Sequence, residues 1–136
     1  MARDWTVTLL NIRQIYDVLD NTIAEYDGIF EGRHKDVPNP VLFLLKVKRI
    51  FTAEKYATFR KKVAAMIEEI LPALRHNSLG GRKRYVKMAR ILGAKEYEVR
   101  AVVASPSFEG SVLKEATASN TTVVIKLAAD QFTSVW

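Results

Sequence analysis

The sequence predicts an all-α protein: a long N-terminal helix followed by a helical bundle. Three observations predict it. Leu9, Ile12, Tyr16, Leu19, Ile23, Tyr26 and Phe30 recur at alternating spacings of three and four, an apolar seam with acids between its members. Asn39-Pro40 is a good helix start, with Asn as cap and Pro at the first helical position. Lysines and arginines then recur through residues 46–90 at spacings that suit helix faces.

The seam is uninterrupted by Pro or Gly before Gly28. A helix of about 25 residues is about 38 Å long, too long to pack fully on so small a domain, so a partner helix or chain is expected beside it. A polar connection, Gly32 to Pro38, follows. Leu44, Val47 and Phe51 continue at helical spacing after Pro40. The same residues also fit a buried strand, because Val41-Leu42-Phe43-Leu44-Leu45 is continuously apolar and then alternates with Lys46 and Lys48. Thr52 is a candidate cap for the next helix, with Phe59, Val63, Met66, Ile70 and Leu74 as its apolar face. Pro72 should kink or end that helix. If 40–51 and 53–71 were nearly continuous helix, Lys48, Lys55 and Lys62 would line one face.

Asn77-Ser78-Leu79-Gly80-Gly81 is a break. A short basic helix from Arg82 to Leu92 comes next, with Tyr85, Met88, Ala89 and Leu92 on its apolar side and Gly93 as its cap. Ser105-Pro106 is expected to open another helix, reaching about Ser119. The tail fits either state: 121–126 is rich in β-branched residues, while Val124, Leu127, Ala128 and Phe132 keep helical spacing.

One domain, 1–136, is expected from the length. No apolar run is long enough to span a membrane, and Met1-Ala2-Arg3-Asp4-Trp5 lacks the apolar core of a signal peptide. The chain has no cysteine, which excludes thiolate metal sites and cysteine nucleophiles, and only His34 and His76. Trp5 and Trp136 are read as packing anchors. Leu79-Gly80-Gly81-Arg82-Lys83 lacks the spacing of a nucleotide-binding loop.

Net charge is +6, and its distribution is uneven. Residues 33–100 carry 17 Lys and Arg against six Asp and Glu, a net of +11, while 1–32 carry −4 and 101–136 carry −1. A basic middle between less basic flanks points to a polyanionic partner. Phosphate contacts are expected from Lys46, Lys48, Arg49, Lys55, Lys62, Arg82, Lys83, Lys87 and Arg90. No catalytic, metal or cofactor site is expected.

With its long seam, its Asn39-Pro40 helix start and its basic block, the chain resembles the major coat (nucleocapsid) proteins of filamentous archaeal viruses, of the tristromavirus and rudivirus type. The resemblance implies a non-enzymatic structural protein of the virion. It would wrap double-stranded DNA held in A-form, assembling with itself or with a second, related coat protein into a helical filament.

From Glu25 on, the chain also resembles the PD-(D/E)XK nuclease superfamily, which implies an α/β core and a cytoplasmic protein. Residues 25–30 would be the Asp strand, 41–49 the acid-x-Lys strand and 53–71 a helix, with strand, helix and strand at 99–105, 110–119 and 121–126. Asp27 and Lys48 match the family's positions, but Lys46 stands where the second metal-binding acid belongs. An ammonium repels Mg²⁺, so this alternative implies an inactivated nuclease.

Overall fold

The computed structural model describes residues 4–76 and 80–128. Asn77 to Leu79, Phe132 and Trp136 lie outside the described residues, so the readings that rest on them lie outside as well. The fold is mixed α/β, which overturns the all-α expectation. A five-stranded sheet runs in the order β1 (Trp5–Leu9), β4 (Gly28–His34), β5 (Val41–Val47), β7 (Glu98–Ser105), β9 (Thr122–Lys126). The first three strands are antiparallel neighbours, whereas β7 and β9 run parallel to β5. Two small ladders join β2 (Gln14–Tyr16) to β3 (Thr22–Glu25), and β6 (Ile50–Phe51) to β8 (Ser107–Phe108).

The N-terminal seam is not a helix. Leu9, Tyr16, Ile23 and Phe30 fall in four different strands and Ile12, Leu19 and Tyr26 in the connections, and the members do not share a face: Ile12 and Tyr26 are buried, while Leu9, Leu19 and Ile23 are exposed. Local turn chemistry decides against the helix. The Asp17 carboxylate accepts from the backbone N–H groups of Leu19 and Asn21 at 2.9 Å each, closing a tight turn between β2 and β3. Asp20 in that turn has a φ of +66°, a conformation no helix interior contains. Thr6, Val7 and Thr8 add strand preference on the other side.

Strand β5 is the centre of the sheet, so residues 41–51 take the strand alternative and not the helical one. Leu42 and Leu44 enter the main core, whereas Val41 and Phe43 pack on the opposite face with Trp5 and Phe30. Burial on both faces explains an apolar run without alternation. Pro40 starts no helix. Its carbonyl accepts from the Glu98 N–H at 3.0 Å, and the strand begins one residue later, where a missing proline N–H costs nothing.

The first helices form where the sequence places them. Helix α1 (Ala53–Ala65) is capped by Thr52, whose Oγ1 accepts from the Lys55 N–H at 3.2 Å. The chain then widens into a π-helical turn, Met66–Ile70, before α2 (Leu71–His76). Pro72 accounts for the widening: it has no N–H to donate and its ring crowds the preceding turn. Helix α3 (Lys83–Leu92) buries Tyr85, Met88, Ala89 and Leu92, and the Gly93 N–H closes it on the Ala89 carbonyl. Helix α4 (Gly110–Ala118) starts later than Ser105-Pro106 suggested. Ser105 is instead the buried end of β7, its hydroxyl donating to the carbonyls of Ser107 and Arg49.

Helices α1 and α4 cover one face of the sheet, packing Tyr56, Phe59, Val112 and Ala116 onto Leu42, Leu44, Ala101 and Val103. Both follow from β-α-β connections that step in the same direction across the sheet. Among the described residues, the opposite face carries the small cluster around Phe43, with the Arg100 guanidinium 5.8 Å from the Trp5 ring centroid. No helix among the described residues is long and apolar enough to cross a membrane.

Candidate functional site

Four of the nine sequence-predicted cations, Lys46, Lys48, Lys55 and Lys62, gather near the carboxyl end of β5. In a strand, alternate residues share a face, so Lys46 lies on the side of Leu42 and Leu44, and Lys48 follows just past the end of the strand. Asp27 lies in the bend just before β4, next to the Gly28–Leu45 pair that ends the ladder. Its N–H donates to the Leu45 carbonyl at 2.9 Å, and its Oδ2 accepts from the Val47 N–H at 2.7 Å. The carboxylate is thereby fixed to the backbone of β5, between the two lysines in sequence.

Around Asp27 the charge is positive. Lys46 reaches the Glu25 carbonyl at 3.5 Å, and the Lys55 ammonium reaches the Ile50 carbonyl at 3.4 Å. Lys48 is half-buried. Burial first, then the neighbouring charge of Lys46, lowers its pKa below the ordinary lysine value; Asp27 opposes the shift, and Lys55 and Lys62 add to it. Lys46, Lys48, Lys55 and Lys62 therefore form one electrostatic cluster. They do so although 40–51 and 53–71 are not the nearly continuous helix that would have aligned Lys48, Lys55 and Lys62. The strand brings Lys46, the residue just past its end is Lys48, and the first and last turns of α1 bring Lys55 and Lys62.

Tyr26 supports this corner from beneath. It is buried, its ring meets Phe59 at 6.3 Å, and its hydroxyl donates to the Lys62 carbonyl at 3.4 Å. Burial pushes its pKa up to about 12, so it remains a neutral phenol.

A second basic group lies on α3. Arg82, Lys83, Lys87 and Arg90 are all exposed. The helix is held by the β2–β3 turn: Asp20 accepts from the N–H groups of Arg84 at 3.2 Å and Tyr85 at 2.9 Å, and the Arg82 N–H donates to the Val18 carbonyl. Between this helix and the segment from Leu9 to Gln14 opens a cavity of about 660 Å³. Lys87 lines it together with Asp27, but Arg82, Lys83 and Arg90 do not. Arg49 is exposed beyond the end of β5, and its carbonyl accepts from Ser105.

No protein-family model, curated protein or solved structure matches the chain. The site is therefore read from its own chemistry.

Sequence reasoning missed Arg13, Gln14 and Tyr16, which line the cavity, and gave no role to Arg84, which also lines it. The seam reading hid them, since it treated this segment as the flank of a helix. The signal that could have found them was Asp17 to Asn21, a turn-forming cluster in the middle of the supposed helix. Glu25 and Asp27 share the cavity. Among the described residues no group of three His, Cys, Asp or Glu side chains could hold a metal ion.

Proposed function

We propose that the chain is a nucleic-acid-binding protein that grips phosphates at the carboxyl end of β5, using a PD-(D/E)XK-like core whose cutting chemistry is lost. One observation carries the reading: the Asp27 carboxylate is held on the Val47 N–H, between Lys46 and Lys48 in sequence, and Lys48 has Lys46, Asp27, Lys55 and Lys62 within electrostatic reach. The order of elements supports it. An Asp-led strand, a hairpin to the Lys-x-Lys strand, and then helix, strand, helix and strand are what the nuclease resemblance implies. Ligand sites in α/β sheets also favour the carboxyl ends of parallel strands.

The electrostatics favour binding over cleavage. Four ammonium groups repel one another, and that repulsion is relieved when a phosphate backbone enters among them. A divalent cation would meet the same repulsion without relief. The coat-protein reading shares the phosphate grip. Its filament rested on a helix over 9–30, and that segment forms strands and turns instead.

The test is fluorescence anisotropy of a labelled duplex across a salt series. Each phosphate neutralised contributes about 0.9 to the slope of log K against log salt. The double variant Lys46→Ala, Lys48→Ala should lower that slope by about 2. An unchanged slope would remove this corner from the interface. Nicking that requires Mg²⁺ and disappears in Asp27→Ala would show instead that the cutting chemistry survives.

A further inference from the structure

The cavity beside Asp27 differs from the lysine cluster in shape and in chemistry. Its volume, about 660 Å³, equals a sphere about 11 Å across. That is within the range of about 300–1,000 Å³ typical of small-ligand pockets. It is too small for a duplex, whose major groove alone is about 12 Å wide. Whatever enters is a single unit of the size of a nucleotide.

The lining suits that unit. Arg13, Arg84 and Lys87 are exposed cations on opposite walls, one from the segment after β1 and two from α3. The Arg84 guanidinium stands 5.8 Å from the Tyr16 ring centroid, which makes a planar cationic surface over an aromatic one. Tyr16 is held in place: its hydroxyl donates to Gln14 Oε1 at 2.8 Å, and its N–H points to the Met88 sulfur at 3.4 Å. Unpaired bases stack on such surfaces, whereas paired ones are not free to. Glu25 and Asp27 add acceptors, and carboxylates accept from the exocyclic amino groups of bases.

We propose that this cavity takes an unpaired nucleotide of a single-stranded segment whose neighbouring phosphates lie on the lysine cluster. The inference rests on the phosphate-binding function proposed above and narrows its substrate to nucleic acid with an unpaired end. Arg13 and Lys87 flank the phosphate of that nucleotide, Arg84 and Tyr16 face its base, and the two acids read its amino group.

Anisotropy titrations at one fixed salt concentration test it, comparing a blunt duplex with the same duplex carrying a short single-stranded tail. The tailed duplex should bind about tenfold tighter, the scale of one stacked base. Arg84→Ala and Arg13→Ala should each erase that advantage and leave blunt-duplex affinity nearly unchanged; both side chains are exposed, so thermal unfolding of the variants should match the parent protein. Equal affinity for blunt and tailed duplex, with either still bound, overturns the cavity proposal and leaves the phosphate grip standing. Equal weakening of both by Arg84→Ala also overturns it, because the residue would then act only as backbone charge. Failure to bind either duplex overturns the cavity proposal together with the function on which it rests.

Discussion

Glu31 is the most heavily partnered carboxylate of the described sheet. It accepts from the Lys95 ammonium at 2.8 Å and from the Tyr97 hydroxyl at 2.5 Å, and Arg33 adds a contact at 3.3 Å. Burial alone would raise its pKa, but the Lys95 and Tyr97 hydrogen bonds, with the charges of Lys95 and Arg33, hold it below the ordinary glutamate value. A carboxylate lowered in the folded state stabilises that state above the unfolded pKa and loses its contribution as pH falls through the folded one. Tyr97 is shifted the opposite way, raised by burial first and then by Glu31, so its contribution is complete below its ordinary value and is lost at alkaline pH. Urea midpoints measured across pH should therefore fall off below about 4.5 and again above about 10. In Glu31→Gln the acid limb should flatten, and an unchanged acid limb would assign it to other carboxylates.

At the scale of elements, α3 owes its start to a residue 64 positions before its Arg84. Its own first residues supply no side-chain cap, and Asp20 accepts the free N–H groups of Arg84 and Tyr85 instead. Asp20→Ala should lower unfolding free energy by about 1–2 kcal/mol, the usual cost of losing a helix cap. Asp20→Asn, which keeps an acceptor oxygen, should recover much of that, and equal losses in both would point to the turn and not to the cap. The contrast with Thr52 shows what could be read from sequence. Thr52 caps the helix that follows it directly, so α1 was legible, as was the Tyr85, Met88, Ala89, Leu92 face of α3. Asp20 acts across 64 residues, and nothing local announces it. The strand β5 stayed open between helix and strand for a different reason. A short, fully apolar run has no periodicity to separate strand from helix, and only the sheet that surrounds Val41–Val47 decides. The Lys46, Lys48, Lys55, Lys62 group was chosen from the sequence for a helical reason and assembles for a topological one.

For the molecule as a whole, the central place of β5 has a consequence in time. Its antiparallel neighbour is close in sequence, since Gly32 pairs with Val41. Its parallel neighbour is not: Val41 pairs with Glu98, and α1, α2 and α3 all intervene. Contacts at such separation form late, after local hairpins, because a long loop must first be closed. During that interval the free edge of Val41-Leu42-Phe43-Leu44-Leu45 is an uncharged apolar strand without a partner, the kind of segment that pairs with its like in another chain. Refolding from urea should then compete with association: the recovered fraction should decline as protein concentration rises, with light scattering appearing in the first phase. A yield independent of concentration would mean that β7 docks before another molecule can. The strand that leads into the lysine cluster is thus also the part of the chain that most needs the rest to arrive quickly.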